Sequence, residues 1–192
     1  MADGKEERAP RKRADARRNE QNLLDAAAAV FVESGVDAPV REIAKKAGVG
    51  MGTIYRHFPT RSDLVIAVFR HQVDACAEAG PVLLAECATP YEALVRWVDK
   101  FVDFLITKHG LAGAMQSGDA RFGPLHAYFL ENLEPVCAKL LEAAADAGEV
   151  PRDLAPFALL YAIGNLCAGD GNDPRYDTRR LVGFFVAGLR ER

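Results

Sequence analysis

Apolar residues along this chain recur every three or four positions, and no stretch alternates long enough to form a strand, so the predicted fold class is all-α with about nine helices. Leu23, Ala27, Val30 and Phe31 fall at i, i+4, i+7 and i+8, which places a first helix over about Ala16–Ser34 with Gly35 as its stop. Ile43, Ala44 and Ala47 form one face of a short second helix, closed by Gly48. Val49 turns inward, and Ile54 and Phe58 repeat four apart on a third helix. The stripe of the first helix is the natural roof for Ile43, Val49 and Ile54. Thr60 and Asp63 then stand three apart ahead of an apolar run, a capping-box start with Asp in place of the usual Glu or Gln.

Longer helices are predicted from Ser62 onward. One spans Leu64 to about Glu78, with Pro81 marking its end, and a second spans Tyr91–Lys108, turning Leu94, Trp97, Val98, Phe101, Val102 and Leu105 inward. A short helix is expected over Leu111–Met115. The next runs from about Pro124 to Ala147, where Pro135 should kink or divide it. The last two, Leu154–Ala168 and Thr178–Arg190, are apolar nearly all round, through Leu154, Phe157, Leu159, Leu160, Tyr161, Ile163 and Leu166, then Leu181, Val182, Phe184, Phe185, Val186 and Leu189. Such helices are buried on all sides, either in the protomer core or against a second copy of the chain. Small Ala158, Ala162 and Gly164 favour close helix approach, and the two-copy arrangement is preferred.

Val40 to Arg61, VREIAKKAGVGMGTIYRHFPTR, carries the chemistry. Between its apolar positions the third helix presents Met51, Gly52, Thr53, Tyr55, Arg56 and His57. Hydroxyls, a guanidinium, an imidazole and short residues reach phosphates and base edges. Two short helices with this turn have the layout of a helix-turn-helix. The segments AAAAVFVESGV, REIAKKAGV and GTIYRHFPTR resemble the DNA-binding domain of the tetracycline-repressor (TetR/AcrR) family of bacterial regulators, over roughly Arg17 to Phe69. Beyond Phe69 the resemblance is one of architecture.

The resemblance implies that Thr53 and Tyr55 contact DNA backbone or bases. It likewise implies that His57 and Arg61 hold phosphates, that Met51, Gly52 and Arg56 face the groove, and that Arg41 is a further contact. It implies a homodimer through the last two helices. The paired recognition helices would meet half-sites of a near-palindromic operator, roughly 34–36 Å apart or a multiple of that. It also implies a cavity for a small effector, for which Trp97, Phe101, Phe104, Met115, Phe122, His126 and Phe129 are the candidate contacts, with Tyr128, His109, Asn132 and Gln116 nearby. A departure from the common family pattern stands at Ala38-Pro39-Val40, where many members open the second helix with a Thr cap.

The net charge of −3 divides unevenly: Met1 to Arg61 carries +3, with twelve Lys/Arg against nine Asp/Glu, and the remainder carries −6. Nucleic-acid affinity follows local cations, so the basic end suits DNA. Arg8, Arg11, Lys12, Arg13, Arg17 and Arg18 form either a solvated terminus or an arm that tracks phosphates. The expected division is a disordered basic arm over 1–15, a DNA-binding domain over 16–61 and an effector-binding and dimerisation domain over 62–192. The N-terminus is charged, no apolar run reaches a membrane span, and Cys76, Cys87, Cys137 and Cys167 are scattered, so reduced thiols in the cytoplasm are expected.

Enzyme signatures fail in turn, and neither a cofactor nor a metal is expected. Gly48, Gly50 and Gly52 follow a helix and do not spell a dinucleotide fingerprint. Asp170, Asn172 and Asp173 hint at a calcium loop, but Leu181 occupies the twelfth position. The four His are dispersed, and a lone one such as His71 carries no mechanism. The reading is a ligand-responsive DNA-binding regulator, a repressor in preference to an activator. An architectural or partner-binding DNA protein without an effector is the alternative.

Overall fold

The computed structural model describes residues 8–111, 119–168 and 175–190. They form eight α-helices and no strand: α1 (Arg8–Ser34), α2 (Val40–Ala47), α3 (Met51–His57), α4 (Arg61–Glu86), α5 (Pro90–Gly110), α6 (Leu125–Asp146), α7 (Pro156–Cys167) and α8 (Thr178–Ala187), with a 3₁₀ turn at Ala120–Phe122 before α6. After Leu111, the short helix expected over Leu111–Met115 lies outside the described residues, as do Met115, Gln116, Asp170, Asn172, Asp173 and the His109 side chain.

The helix α1 begins at Arg8, so the segment expected as a disordered arm is helical from there on. Ala, Arg and Lys are strong helix formers, and Pro10 falls in the first turn, where an amide has no partner within the helix anyway. Gly48 ends α2 at φ 68°, the left-handed region closed to most L residues. Its amide reaches the Lys45 carbonyl at 3.3 Å and the Val49 amide reaches that of Ala44 at 3.0 Å, the paired bonds of a Schellman stop. The capping box at α4 forms as expected. The Asp63 amide donates to Thr60 Oγ1 at 3.2 Å, and the Thr60 amide donates to the Asp63 carboxylate at 2.9 Å.

Both prolines expected to interrupt helices are carried within them: α4 continues past Pro81 to Glu86, and α6 runs unbroken through Pro135. Each ring sits on the exposed face, so the carbonyl four residues earlier loses its amide partner where water is at hand. Packing holds the opposite face. Leu83 is buried beyond Pro81, and Leu133, Cys137 and Leu140 bracket Pro135. Gly80 lets α6 approach closely, since a Cβ there would stand 2.2 Å from Val136 Cγ1. The Trp97 indole donates to the Cys76 carbonyl at 2.9 Å just before this crossing.

The helix α4 packs on α5 and α6, while α1 packs on α2, α4 and α5. One continuous apolar cluster therefore joins Leu23 and Phe31, through Leu64 and Phe69, to Phe101 and Leu140. In the last two helices the apolar residues split. Leu159, Leu160, Ile163, Val182 and Val186 are buried, whereas Phe157, Tyr161, Leu181 and Phe184 are 48 %, 62 %, 37 % and 62 % exposed.

Candidate DNA-binding surface and effector cavity

Two side chains hold α3 to the protein and the rest face outward. Ile54 and Phe58 are buried in the core. Met51 and Tyr55, one turn apart, are each about half exposed, and Gly52, Arg56 and His57 are exposed, with Thr53 half-buried. Arg41 is exposed on the first turn of α2. Arg56 makes no hydrogen bond or ion pair among the described residues, so its guanidinium fork is uncommitted. Pro39 opens α2 without a side-chain cap, in line with the noted departure at Ala38-Pro39-Val40. Lys46 is spent on an ion pair with Glu33 at 2.6 Å, while Lys45, which sequence reasoning passed over, is exposed beside it.

Arg61, for which the resemblance implies a phosphate contact, is turned onto the protein itself. Its Nε donates to the Val36 carbonyl at 2.7 Å and its Nη2 to the Ala38 carbonyl at 2.6 Å, with the guanidinium carbon 4.9 Å from the centre of the Phe31 ring. Burial lowers its pKa, an effect Asp37 partly offsets. Arg61 is thus a strut from the start of α4 to the turn between α1 and α2. The reason is geometric: the start of α4 lies against that turn, whose Val36 and Ala38 carbonyls meet no backbone amide among the described residues.

A second arginine, Arg121 in the 3₁₀ turn, was not anticipated. It pairs with Asp119 at 2.7 Å and Asp63 at 3.1 Å, and reaches Thr60 Oγ1 at 3.4 Å. Hydrogen bonds from Arg121 hold the Asp119 carboxyl down at about 2. This cluster ties the segment before α6 to the capping box of α4. No local signal announces a contact 58 residues apart in sequence.

A cavity of about 270 Å³ opens between α5, α6 and α7. Of the residues expected to meet an effector, Phe101, His126 and Phe129 line it. Trp97, Phe104 and Phe122 do not; they are sealed in the core at 0 %, 2 % and 6 % exposure. Trp97 stacks on Phe101 at 5.7 Å and Phe104 on Phe129 at 5.6 Å, so these rings buttress the wall from behind. Burial, helped by the hydrogen bond its hydroxyl donates to Asp74, pushes the Tyr128 pKa up to about 12, and Asn132 donates to the Tyr128 carbonyl at 2.7 Å. Neither faces the cavity. Lys108, Leu160, Tyr161 and Asn165, which do line it, were missed. Lys108 was legible: Phe101, Leu105 and Lys108 fall at i, i+4 and i+7 on one helical face.

A small helix pair with an outward cationic tip, mounted on a larger helical body, defines a helix-turn-helix regulator. Residues 23–68 match the model for bacterial regulatory proteins of the tetR family, and residues 89–191 match that for the C-terminal domain of SbtR-like transcriptional regulators. The chain belongs to the TetR family of transcriptional regulators. It is similar to the TetR transcriptional regulator SCO0520 from Streptomyces coelicolor, with 36 % identity, 89 % of this chain and 98 % of that one covered, and a TM-score of 0.74. A TetR transcription regulatory protein from Mycobacterium vanbaalenii is 33 % identical, with 93 % and 99 % covered and a TM-score of 0.68. The HTH-type transcriptional regulator SAUSA300_2515 of Staphylococcus aureus is 30 % identical over 63 % of this chain, and the match spans 66 % of that relative's length, just under two thirds.

Proposed function

We propose that the protein is a cytoplasmic, homodimeric repressor that grips a near-palindromic operator through α3 and lets go when a small molecule fills the cavity between α5, α6 and α7. The observation that carries the reading is the division of α3. Ile54 and Phe58 anchor it, and Met51, Tyr55, Arg56 and His57 stand clear of the protein. A seven-residue helix is about 10 Å long, which suits a major groove about 12 Å wide. Arg56 reads a guanine edge; Thr53, Tyr55 and His57 position the helix on the backbone, with Arg41 and Lys45 adding phosphate contacts. Arg61 is left out of this set because its fork is occupied.

The exposed faces of α7 and α8 support the two-copy reading. Phe157, Tyr161, Leu181 and Phe184 are large apolar residues on adjacent helices of a protomer whose core is already filled. Release then follows from population shift: a ligand that binds best to one spacing of the two α3 helices disfavours the operator-bound spacing. The cavity favours this reading over an architectural protein with no effector.

The test begins with selection of bound sequences from a random DNA pool, followed by binding isotherms for the wild type and Arg56→Ala. Loss of a bidentate guanine contact is expected to cost about 1–3 kcal/mol of discrimination at one position of each half-site. Failure to enrich any sequence, or an Arg56→Ala variant with unchanged preference, defeats the assignment.

A further inference from the structure

Among the described residues, every polar side chain that lines the cavity between α5, α6 and α7 can donate a hydrogen bond, and none is acidic. Lys108, His126, Tyr161 and Asn165 are its polar residues, set among apolar walls that include Phe101 and Phe129. Lys108 is half-buried, its ammonium 5.9 Å from the centre of the Phe129 ring, and it meets no carboxylate among the described residues. A partly desolvated cation left with only an aromatic face is an uncompensated charge. The cost is registered in its pKa, which burial lowers. The His126 ring stacks near the same Phe129 ring, at 6.0 Å, so two groups able to carry positive charge flank one wall residue.

We propose that this cavity takes a hydrophobic molecule with a carboxylate head, its chain against Phe101, Phe129 and Leu160 and its head on Lys108, with His126 at the mouth. A carboxylate would give Lys108 the counter-charge it lacks, in a site sheltered enough for the pair to be strong. A cationic head would find no acidic partner among the described residues of the lining. The volume of about 270 Å³ falls just below the usual range for ligand pockets and suits one medium-length chain. The proposal rests on reading this cavity as the effector site.

The experiment is calorimetric titration of the full-length protein at pH 7, without DNA, using decanoate, 1-decanol and decyltrimethylammonium as ten-carbon probes that differ only in the head. Decanoate is expected to bind at least tenfold more tightly than either of the others. Lys108→Met should weaken decanoate at least tenfold and leave 1-decanol unchanged, while Lys108→Arg should retain decanoate. Should the methionine variant unfold, the comparison of heads on the wild type still decides. No binding of decanoate, equal binding of the cationic probe, or a methionine variant with wild-type affinity would each overturn the assignment. Operator binding is measured separately with and without decanoate. Decanoate that binds yet leaves DNA affinity untouched supports the ligand class and removes the inducer role.

Discussion

Replacing Arg61 by Ala separates a structural strut from a DNA contact, because the two roles predict opposite readouts. The substitution deletes the fork that caps the Val36 and Ala38 carbonyls, in residues only 8 % and 4 % exposed. Arg61 is itself part-buried, so water partly replaces it, and the low end of the unsatisfied-acceptor range applies, about 1 kcal/mol per carbonyl. Loss of the guanidinium over Phe31 adds about 0.5–1 kcal/mol. The sum is about 3 kcal/mol, which lowers the melting temperature by about 6–12 °C in a chain of this size. Calorimetric or circular-dichroism melts, run at fixed protomer concentration, read this directly. Arg61→Lys should recover less than half, since an ammonium cannot reproduce the fork. The salt dependence of DNA binding by the folded variant should match the wild type. An unchanged melting temperature together with a salt slope flattened by about 0.9 per protomer would refute the reasoning and restore Arg61 to the phosphates.

On the proposed two-copy reading, Phe184→Asp should leave only monomer, because it puts a charge on a side chain 62 % exposed in the protomer; sedimentation of wild type and variant reads the change, and the protomer fold should survive it. Gly80→Ala should cost about 1–3 kcal/mol by overpacking against Val136, and Val136→Ala in the same chain should recover part of the loss, as a double-mutant cycle in chemical denaturation would show. Burial pushes the Cys76 and Cys137 thiols up to about 12, so both stay neutral in the native protein at any ordinary pH. Half-buried Cys87 should therefore react first with a thiol reagent, and Cys76 and Cys137 only on unfolding, as peptide mapping of the labelled protein would show.

The N-terminal helices were legible because local chemistry determines them. Gly48 is where only Gly turns cheaply, Thr60 and Asp63 cap within one turn, and Ile54 and Phe58 mark the single face that α3 can bury. The prolines misled because their effect depends on which face of the helix they occupy. Pro81 and Pro135 both face water, and the buried face keeps each helix whole. The contacts of Arg61 were hidden for a related reason: a family role attached to a position says nothing about the Val36 and Ala38 carbonyls it meets. Among the aromatics, helical spacing does not separate a wall from its backing. Phe101 and Phe129 reach the cavity while Trp97 and Phe104 stack behind them and Phe122 is buried elsewhere in the core. The polar lining came partly from α7, which periodicity assigned wholly to burial or self-association.

The stack behind the cavity has a practical consequence. Trp97 is the chain's single tryptophan, fully buried, and its ring lies parallel to Phe101 within 7°. Tryptophan fluorescence of the native protein therefore comes from one buried indole, one ring away from the compartment an effector would enter. Occupancy that shifts Phe101 alters the emission of that indole without any attached dye, so the molecule carries its own optical gauge of ligand entry.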